Sequence, residues 1–451
     1  MMERIADYFI DNICDTRSRV MHMKIKRISF TVLMFVLLSV RSPVLAADGG
    51  VAVFSLDKCV EIALSQHPDL AASKADLKSA NARVGQARAA SNPAIGFSTG
   101  FSEKTAAGSG TVADSWSSSV TLSQLVTDWG KTHAAVRKSL QDMESTSLTL
   151  ERTVSEVVYE VKRSYFLLLK AEKDLEVAKE TLVLNDAQLE KAKAFFEVGR
   201  VSKYDVTSAQ VARSNSSLAM IQARTSFKDA MTALRAAMGY FDPAEFSIAD
   251  IPEDDAAVTG DYMPTLEKTV KFAIENRPDL QAYLARVESA RSSVTLSKLG
   301  NVPELSLSGS YGWGSTEFLG DDTWRAGMTL SFLIYDGGLQ REKTREALAN
   351  LAGTEARLES LRQTVISEVS SAWLAVRDSG EVVKAAAEGL KMASDNLEIA
   401  SGRYRVGVGS PLEVTDATKY YAEARAGWYG ALYDRMIAKA ALEKAMGGSG
   451  K

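Results

Sequence analysis

Few side chains in this sequence stand where chemistry could be done. Histidine occurs at His22, His67 and His133, and cysteine at Cys14 and Cys59. Neither set can build a disulfide framework or a cysteine- or histidine-rich metal site. No nucleophile, base and orienting group fall at a meaningful spacing. The sequence therefore predicts no catalytic residue, no metal and no cofactor. What remains is acidic. Glu413 and Asp416 lie three residues apart in "SPLEVTDA". On a helix that spacing puts both carboxylates on one face.

The stretch around them occurs twice. "RYRVGVGSPLEVTDA" begins at Arg403 and "FFEVGRVSKYDVTSA" at Phe195, 208 residues earlier. Gly199 and Gly407 each follow a long helix-forming run, and glycine is the usual residue just past a helix C-terminus. Ser410, Pro411 and Glu413 then read as N-cap, first helical position and capping-box acid. Ser202 and Asp205 repeat that spacing. Each stretch is thus a tip where a helical rod turns back. Capping accounts for Glu413 and Asp205 but not for Asp416, one turn further on.

The elements that place these tips are duplicated too. "SLDKCVEIALSQHPDL" from Ser55 matches "TLEKTVKFAIENRPDL" from Thr265, and "DWGK" from Asp128 matches "DGGL" from Asp336. Each copy opens with an amphipathic helix, expected over about 55–91 and 265–300. Two alternating stretches follow, "PAIGFSTGFS" with "SWSSSVTLSQLV", then "PELSLSGSYGWG" with "WRAGMTLSFLIY". Period-two alternation marks strands with one apolar face, and about 10 residues is the length of a membrane-spanning strand. Phe97, Phe101, Leu305, Leu307 and Met328 are the candidates for a lipid-facing side. Asp128 and Asp336 read as strand-to-helix corners.

Helix follows on a large scale. Lys131 to Val198 contains no glycine or proline, enough for a rod of roughly 100 Å. Val154, Val161, Leu168, Leu175, Leu182, Leu189 and Phe196 recur every seven residues. Val369, Val376, Val383, Leu390, Leu397 and Tyr404 do the same in the second copy. A seven-residue repeat winds helices into a left-handed supercoil.

Net charge is −4, so no basic footprint for nucleic acid exists. "MKIKRISFTVLMFVLLSVRSPVLAA" reads as a secretory signal cleaved near Ala46 or Ala47, with residues 1–22 as an upstream extension. The expected organisation is extension and signal over 1–47, a first repeat over 48–238, an acidic connector over 239–264, a second repeat over 265–447 and a tail over 448–451. Four strands per chain cannot close a membrane barrel, for which about 8 is the practical minimum. Three chains would pool twelve.

The duplicated unit, the strand ends "LVTDWG" and "FLIYDGG", and the tip "YRVGVGSPLEVTDA" together resemble the outer-membrane efflux proteins of the TolC type. The resemblance covers about 50–447. It implies a mainly α protein with membrane β: a homotrimer whose 12-stranded β-barrel continues into a long α-helical coiled-coil barrel. It implies a passive exit duct in the outer membrane, reaching into the periplasm. The duct would export small molecules or proteins delivered by an inner-membrane RND or ABC transporter and a periplasmic adaptor (membrane fusion) protein. By register with the family, Glu413 and Asp416 take acidic-ring positions at a periplasmic gate. Tyr404 takes the position of an aromatic linking residue and Asp205 that of its acceptor. Gly409 stands where the family often has a basic residue; Arg403 and Arg405 are the candidate substitutes, though neither is in register. The alternative is a soluble periplasmic coiled-coil adaptor, against which the duplicated strand–helix unit argues.

Overall fold

Proline decides how each copy begins. In the computed structural model, which describes residues 52–105, 112–240, 246–250, 264–315 and 322–448, the single opening helix expected in each repeat is two. Helices α1 (Leu56–Gln66) and α2 (Pro68–Ala89) meet at His67, and α5 (Leu266–Asn276) and α6 (Pro278–Lys298) meet at Arg277. A residue before proline is pushed out of the helical region. His67 and Arg277 accordingly have ψ of 129° and 124°. Each proline then starts the next helix, where its missing N–H costs nothing. The leader expected over 1–47 lies outside the described residues, as do 241–245 and 251–263 of the connector and 449–451 of the tail.

Four strands form one antiparallel sheet in the order β2 (Ala94–Thr105), β3 (Val112–Thr127), β5 (Glu304–Ser315), β6 (Asp322–Ser331). Residues paired across strands share a face. Phe97 pairs with Val120, Val120 with Tyr311, and Tyr311 with Trp324. Phe101 pairs with Trp116, Leu307 with Met328 and Leu305 with Leu330. All five residues expected on the lipid-facing side therefore fall on one face, and it is exposed. Thr99 and Ser118 interrupt it, bonded to each other at 2.9 Å. The opposite face is mainly serine, threonine and glycine, with Ser98–Ser119 at 2.9 Å and Ser102–Ser115 at 2.8 Å. β6 ends at Ser331, short of the expected Tyr335. β3 runs on to Thr127 because β5 pairs with it there, whereas residues 332–335 have no neighbouring strand among the described residues and stand exposed.

A short strand within the connector was not legible in the sequence. β4 (Phe246–Ile248) pairs with β1 (Ala52–Phe54), and Phe54 stacks on Phe246 at 4.8 Å.

Helices α3 (Lys131–Glu197) and α7 (Leu339–Arg405) are the long rods, 67 residues each, about 100 Å apiece. Asp128 holds the first rod's start, accepting from the Thr132 backbone N–H at 2.6 Å. Asp336 does so in the second, accepting from the Gln340 N–H at 2.8 Å. Both are corner residues, as their places in the sequence suggest. Shorter helices α4 (Lys203–Met238) and α8 (Pro411–Ala445) return along the rods. α3 packs on α4 and on α8, and α8 on α7, giving the order α4, α3, α8, α7. The heptad residues Val161, Leu168, Leu175, Leu189, Val369, Val376, Val383 and Tyr404 are buried. Phe196, the last of the first series, is exposed. Ion pairs stitch α3 to α8: Lys162–Glu443 at 2.6 Å, Lys170–Asp434 at 3.1 Å and Arg425–Glu176 at 3.2 Å. The largest core lies where α1, α2, α3, α4, β4 and α8 meet, around Cys59, Tyr165, Leu168, Met238 and Tyr433. Among the described residues no helix is long and apolar enough to cross a membrane.

Candidate functional site at the helix-reversal tips

The two tips use the same turn. α3 ends at Gly199, whose φ of 74° only glycine takes freely, and α7 ends at Gly407, with φ 84°. The Arg200 N–H returns to Phe195 O at 2.8 Å, and the Val408 N–H to Arg403 O at 3.0 Å. These bonds satisfy the last carbonyls of each rod. Ser202 then caps α4 in a full capping box, with Asp205 Oδ2 accepting from the Ser202 N–H at 2.9 Å.

The second tip departs from the expected box. Ser410 Oγ accepts from the Glu413 N–H at 3.2 Å, and Pro411 takes the first helical position. The Glu413 carboxylate does not return to Ser410. It accepts from Arg403 Nε at 3.4 Å, closing an ion pair across the turn. Both partners are about half exposed, so the bond is weak in energy but places a positive charge on one of the two acids. Asp416 is exposed and has no hydrogen bond or ion pair among the described residues. The structure thus keeps Glu413 and Asp416 close together on an exposed helix surface and adds Arg403, which register alone had passed over.

Gly409 is fixed by space. A Cβ there would sit 2.9 Å from Tyr404 N and 3.0 Å from Arg403 Cβ. No basic side chain fits that position without opening the turn, and the cation that reaches Glu413 is Arg403, in the rod's last turn.

Tyr404 joins the tips of the two repeats. It is buried, its ring 5.7 Å from Phe195, and it packs with Ala400, Val414 and Ala417. Arg200 from the first turn lies over the Phe195 ring at 5.2 Å. Burial pushes the Tyr404 phenol above its ordinary pKa and the Asp205 carboxylate adds to the rise, while Arg200 opposes it. Tyr404 and Asp205 are therefore electrostatic neighbours, yet no hydrogen bond joins them within the chain. Tyr404 Oη and Gln188 Nε2 are both buried and face each other without a well-formed hydrogen bond, though Gln188 is near enough to oppose the rise as well. Gln188 and Arg200 had no signal of their own in the sequence, because each meets Tyr404 from a segment about 200 residues away; Arg403 lies only ten residues from Glu413, and what the sequence lacked was the geometry of the turn between them.

The tips and the sheet can be set beside known proteins. The profile of the family described as "Outer membrane efflux protein" matches residues 59–240 and 270–448, one match in each repeat. Outer membrane protein TolC of Escherichia coli (strain K12) is 24% identical over 409 residues, covering 84% of this chain and 80% of its own. Outer membrane protein OprJ of Pseudomonas aeruginosa is 25% identical over 409 residues, covering 87% and 84%. Among solved structures, the CmeC outer membrane channel of Campylobacter jejuni superposes with a TM-score of 0.76 at 20% identity, covering 87% of this chain and 86% of its own. The open state of the Neisseria gonorrhoeae MtrE outer membrane channel superposes at 0.73 and 19% identity, covering 87% and 89%.

Proposed function

The chain belongs to the outer membrane efflux protein family, and on that premise we propose that three copies close into one duct with a gate at the helix tips. Its work is conduction and not catalysis: it is the outer-membrane channel of a tripartite efflux or secretion system, and extends into the periplasm. It serves with a periplasmic adaptor and an inner-membrane transporter of the RND or ABC kind.

The observation that carries the trimer is the sheet. Its outer strands β2 and β6 have no partner on their far edges among the described residues, while one exposed face carries the sheet's large apolar and aromatic side chains. Backbone groups left open in lipid cost several kcal/mol each, so only closed barrels of strands span membranes. Four strands are too few to close; three chains give twelve. Aromatic residues support the same placement. Trp116, Tyr311, Trp313 and Trp324 lie toward the hairpin ends of the apolar face, and Trp129, Phe332 and Tyr335 lie at the other end. Such girdles mark the two interfaces of a bilayer. The next copy's β2 would give residues 332–335 the partner they lack.

The rods repeat the pattern. Tyr204, Val211 and Leu218 form an exposed seven-residue stripe on α4, at one end of the helix order. Met392 and Ile399 on α7, with its C-cap residue Val406, form another at the other end. Joined between copies, the stripes continue the helical wall. At the tips, six carboxylates from Glu413 and Asp416 then surround one axis, three of them partly offset by Arg403. Tyr404 Oη, which makes no well-formed hydrogen bond within the chain, donates toward Asp205, whose Oδ2 is held by Ser202. Each such bond contributes about 0.5–1.5 kcal/mol, more to a charged acceptor, which an adaptor can replace on opening. The repeat boundaries at 48–238 and 265–447 follow from the same design, each copy giving two strands and one helical hairpin. Mass measurement in mild detergent tests the assembly: three mature chains are expected, and a stable monomer inserted in bilayers would sink it.

A further inference from the structure

The sheet face opposite the aromatic girdle is almost without charge. Among the described side chains the charged ones on it within the strands are Glu304, at the start of β5, and Arg325, on β6 between Trp324 and Ala326; the register of β2 with β3 adds Lys104, opposite Ala113 at the hairpin end. Trp324 and Met328 belong to the apolar face, so Arg325 belongs to the hydroxyl-lined one. Its cross-strand partner is Ser310. It is exposed, with no ion pair among the described residues. The nearby carboxylate of Asp322 falls in the phase of Trp324, on the other face, where it accepts from Tyr311 Oη at 2.9 Å. Glu304 lies on the hydroxyl face but six residues along β5 from Ser310, roughly 20 Å away. That exceeds the screening length of about 8 Å at physiological salt. The charge of Arg325 is therefore unopposed in the wall it belongs to. Its counterpart in the first repeat, 208 residues earlier, is Ser117, so the charge enters once per chain.

We propose that Arg325 forms a three-fold basic ring inside the outer part of the barrel, and that this ring binds anionic groups of the passing cargo and gives the barrel a preference for anions. The inference rests on the trimeric barrel proposed above. Arg325 lies three residues inside β6, about 10 Å from the hairpin end. Three guanidinium groups at one level of a low-dielectric wall focus their field on the lumen. A guanidinium presents paired N–H donors that match carboxylate, phosphate and sulfate groups. The ring opposes the acidic tip in sign, so a permeating ion meets carboxylates at one end of the duct and guanidinium groups at the other.

The test uses the full-length channel in planar bilayers, in a Glu413→Gln/Asp416→Asn background so that the tip does not dominate selectivity. The probe is inorganic tripolyphosphate, added to one side at a time. With Arg325 present, block from the hairpin side is expected at a several-fold lower concentration than from the tip side. Arg325→Gln is expected to lose that block by about tenfold in concentration, the size of one charge-assisted contact. Arg325→Lys should retain most of it, which separates charge from folding. Arg325→Glu should shift the reversal potential toward potassium over chloride. A conducting channel whose block is the same with Arg325→Gln overturns the ring. A native protein that forms no channel overturns the barrel and the ring together.

Discussion

Replacing Arg277 by methionine tests how the second repeat is anchored. Arg277 is 1% exposed, at the corner between α5 and α6. Its Nη2 donates to Asp279 Oδ2 at 2.6 Å, and its Nη1 donates to Glu368 on α7 at 2.8 Å and to Ala445 O at the end of α8 at 3.2 Å. One side chain thus ties three helices. Methionine fills similar volume but leaves Asp279, itself 19% exposed, without its cation. Breaking a buried pair from one side costs about 3–5 kcal/mol. Glu368 is 48% exposed and can regain water, and the Leu280 N–H still donates to Asp279. The loss should therefore fall near the low end, about 3 kcal/mol. Burial alone would raise the Asp279 pKa, but hydrogen bonds and charge from Arg277 outweigh it and hold the carboxyl below its ordinary value. A depressed carboxyl contributes stability that is present above its unfolded pKa of about 3.9. That stability is lost as pH falls through the lower folded value. The deficit of Arg277→Met should be full at neutral pH and shrink on acidification, as the uncompensated Asp279 takes a proton. Native-state hydrogen exchange at the α6 start and the α8 end reads the opening free energy where the three helices meet. A change below about 1 kcal/mol, or one equal at neutral and acid pH, would refute the reasoning.

Two further outcomes follow from geometry. Met328→Arg should cost about 2–4 kcal/mol in assembly from bilayers, whereas Ser308→Arg on the opposite face should be tolerated; equal losses in urea-unfolding measurements on vesicles would mean that the apolar face does not meet lipid. Arg403→Ala should raise the cation preference of the channel by freeing Glu413, while Glu413→Gln/Asp416→Asn should lower it; reversal potentials unchanged in both would place these groups away from the conducting path.

Long-range repetition made most of this fold readable. A seven-residue spacing sustained over a rod, or a period of two over a strand, reports burial on one face whatever the partner is. The corners at Asp128 and Asp336 were equally plain, because their hydrogen bonds close within four residues. The split at His67 and Arg277 could have been read from the prolines that follow, yet the apolar pattern runs through both and hides it. β4 carried no signal because three residues have no periodicity. At the tips, local rules named the caps correctly where the partners were adjacent, as with Ser202 and Asp205. They failed at Glu413. Its carboxylate had two acceptable donors, and the charged one on the neighbouring rod won over the Ser410 amide.

The duplicated scaffold explains why the second copy holds most of the functional charge. Three chains with two repeats each would offer six equivalent positions around the duct, and a charged group in both copies would crowd six like charges at one level. Each carboxylate added to such a ring makes the next harder to ionise. The copies differ at the places where this matters. Asp416 has Ser208 as its counterpart, Arg325 has Ser117, and Arg403 has Phe195. Arg277 likewise stands where the first copy has His67, 210 residues earlier. In the first copy His67 Nδ1 accepts from the Asp69 N–H at 3.2 Å as a cap. The seams, corners and caps are kept in both repeats, since every rod and hairpin needs them. Asp416, Arg325 and Arg403 enter once per chain, whereas Glu413 has the acidic counterpart Asp205. Divergence of this kind keeps the wall closed while letting opposite signs occupy opposite ends of the same path.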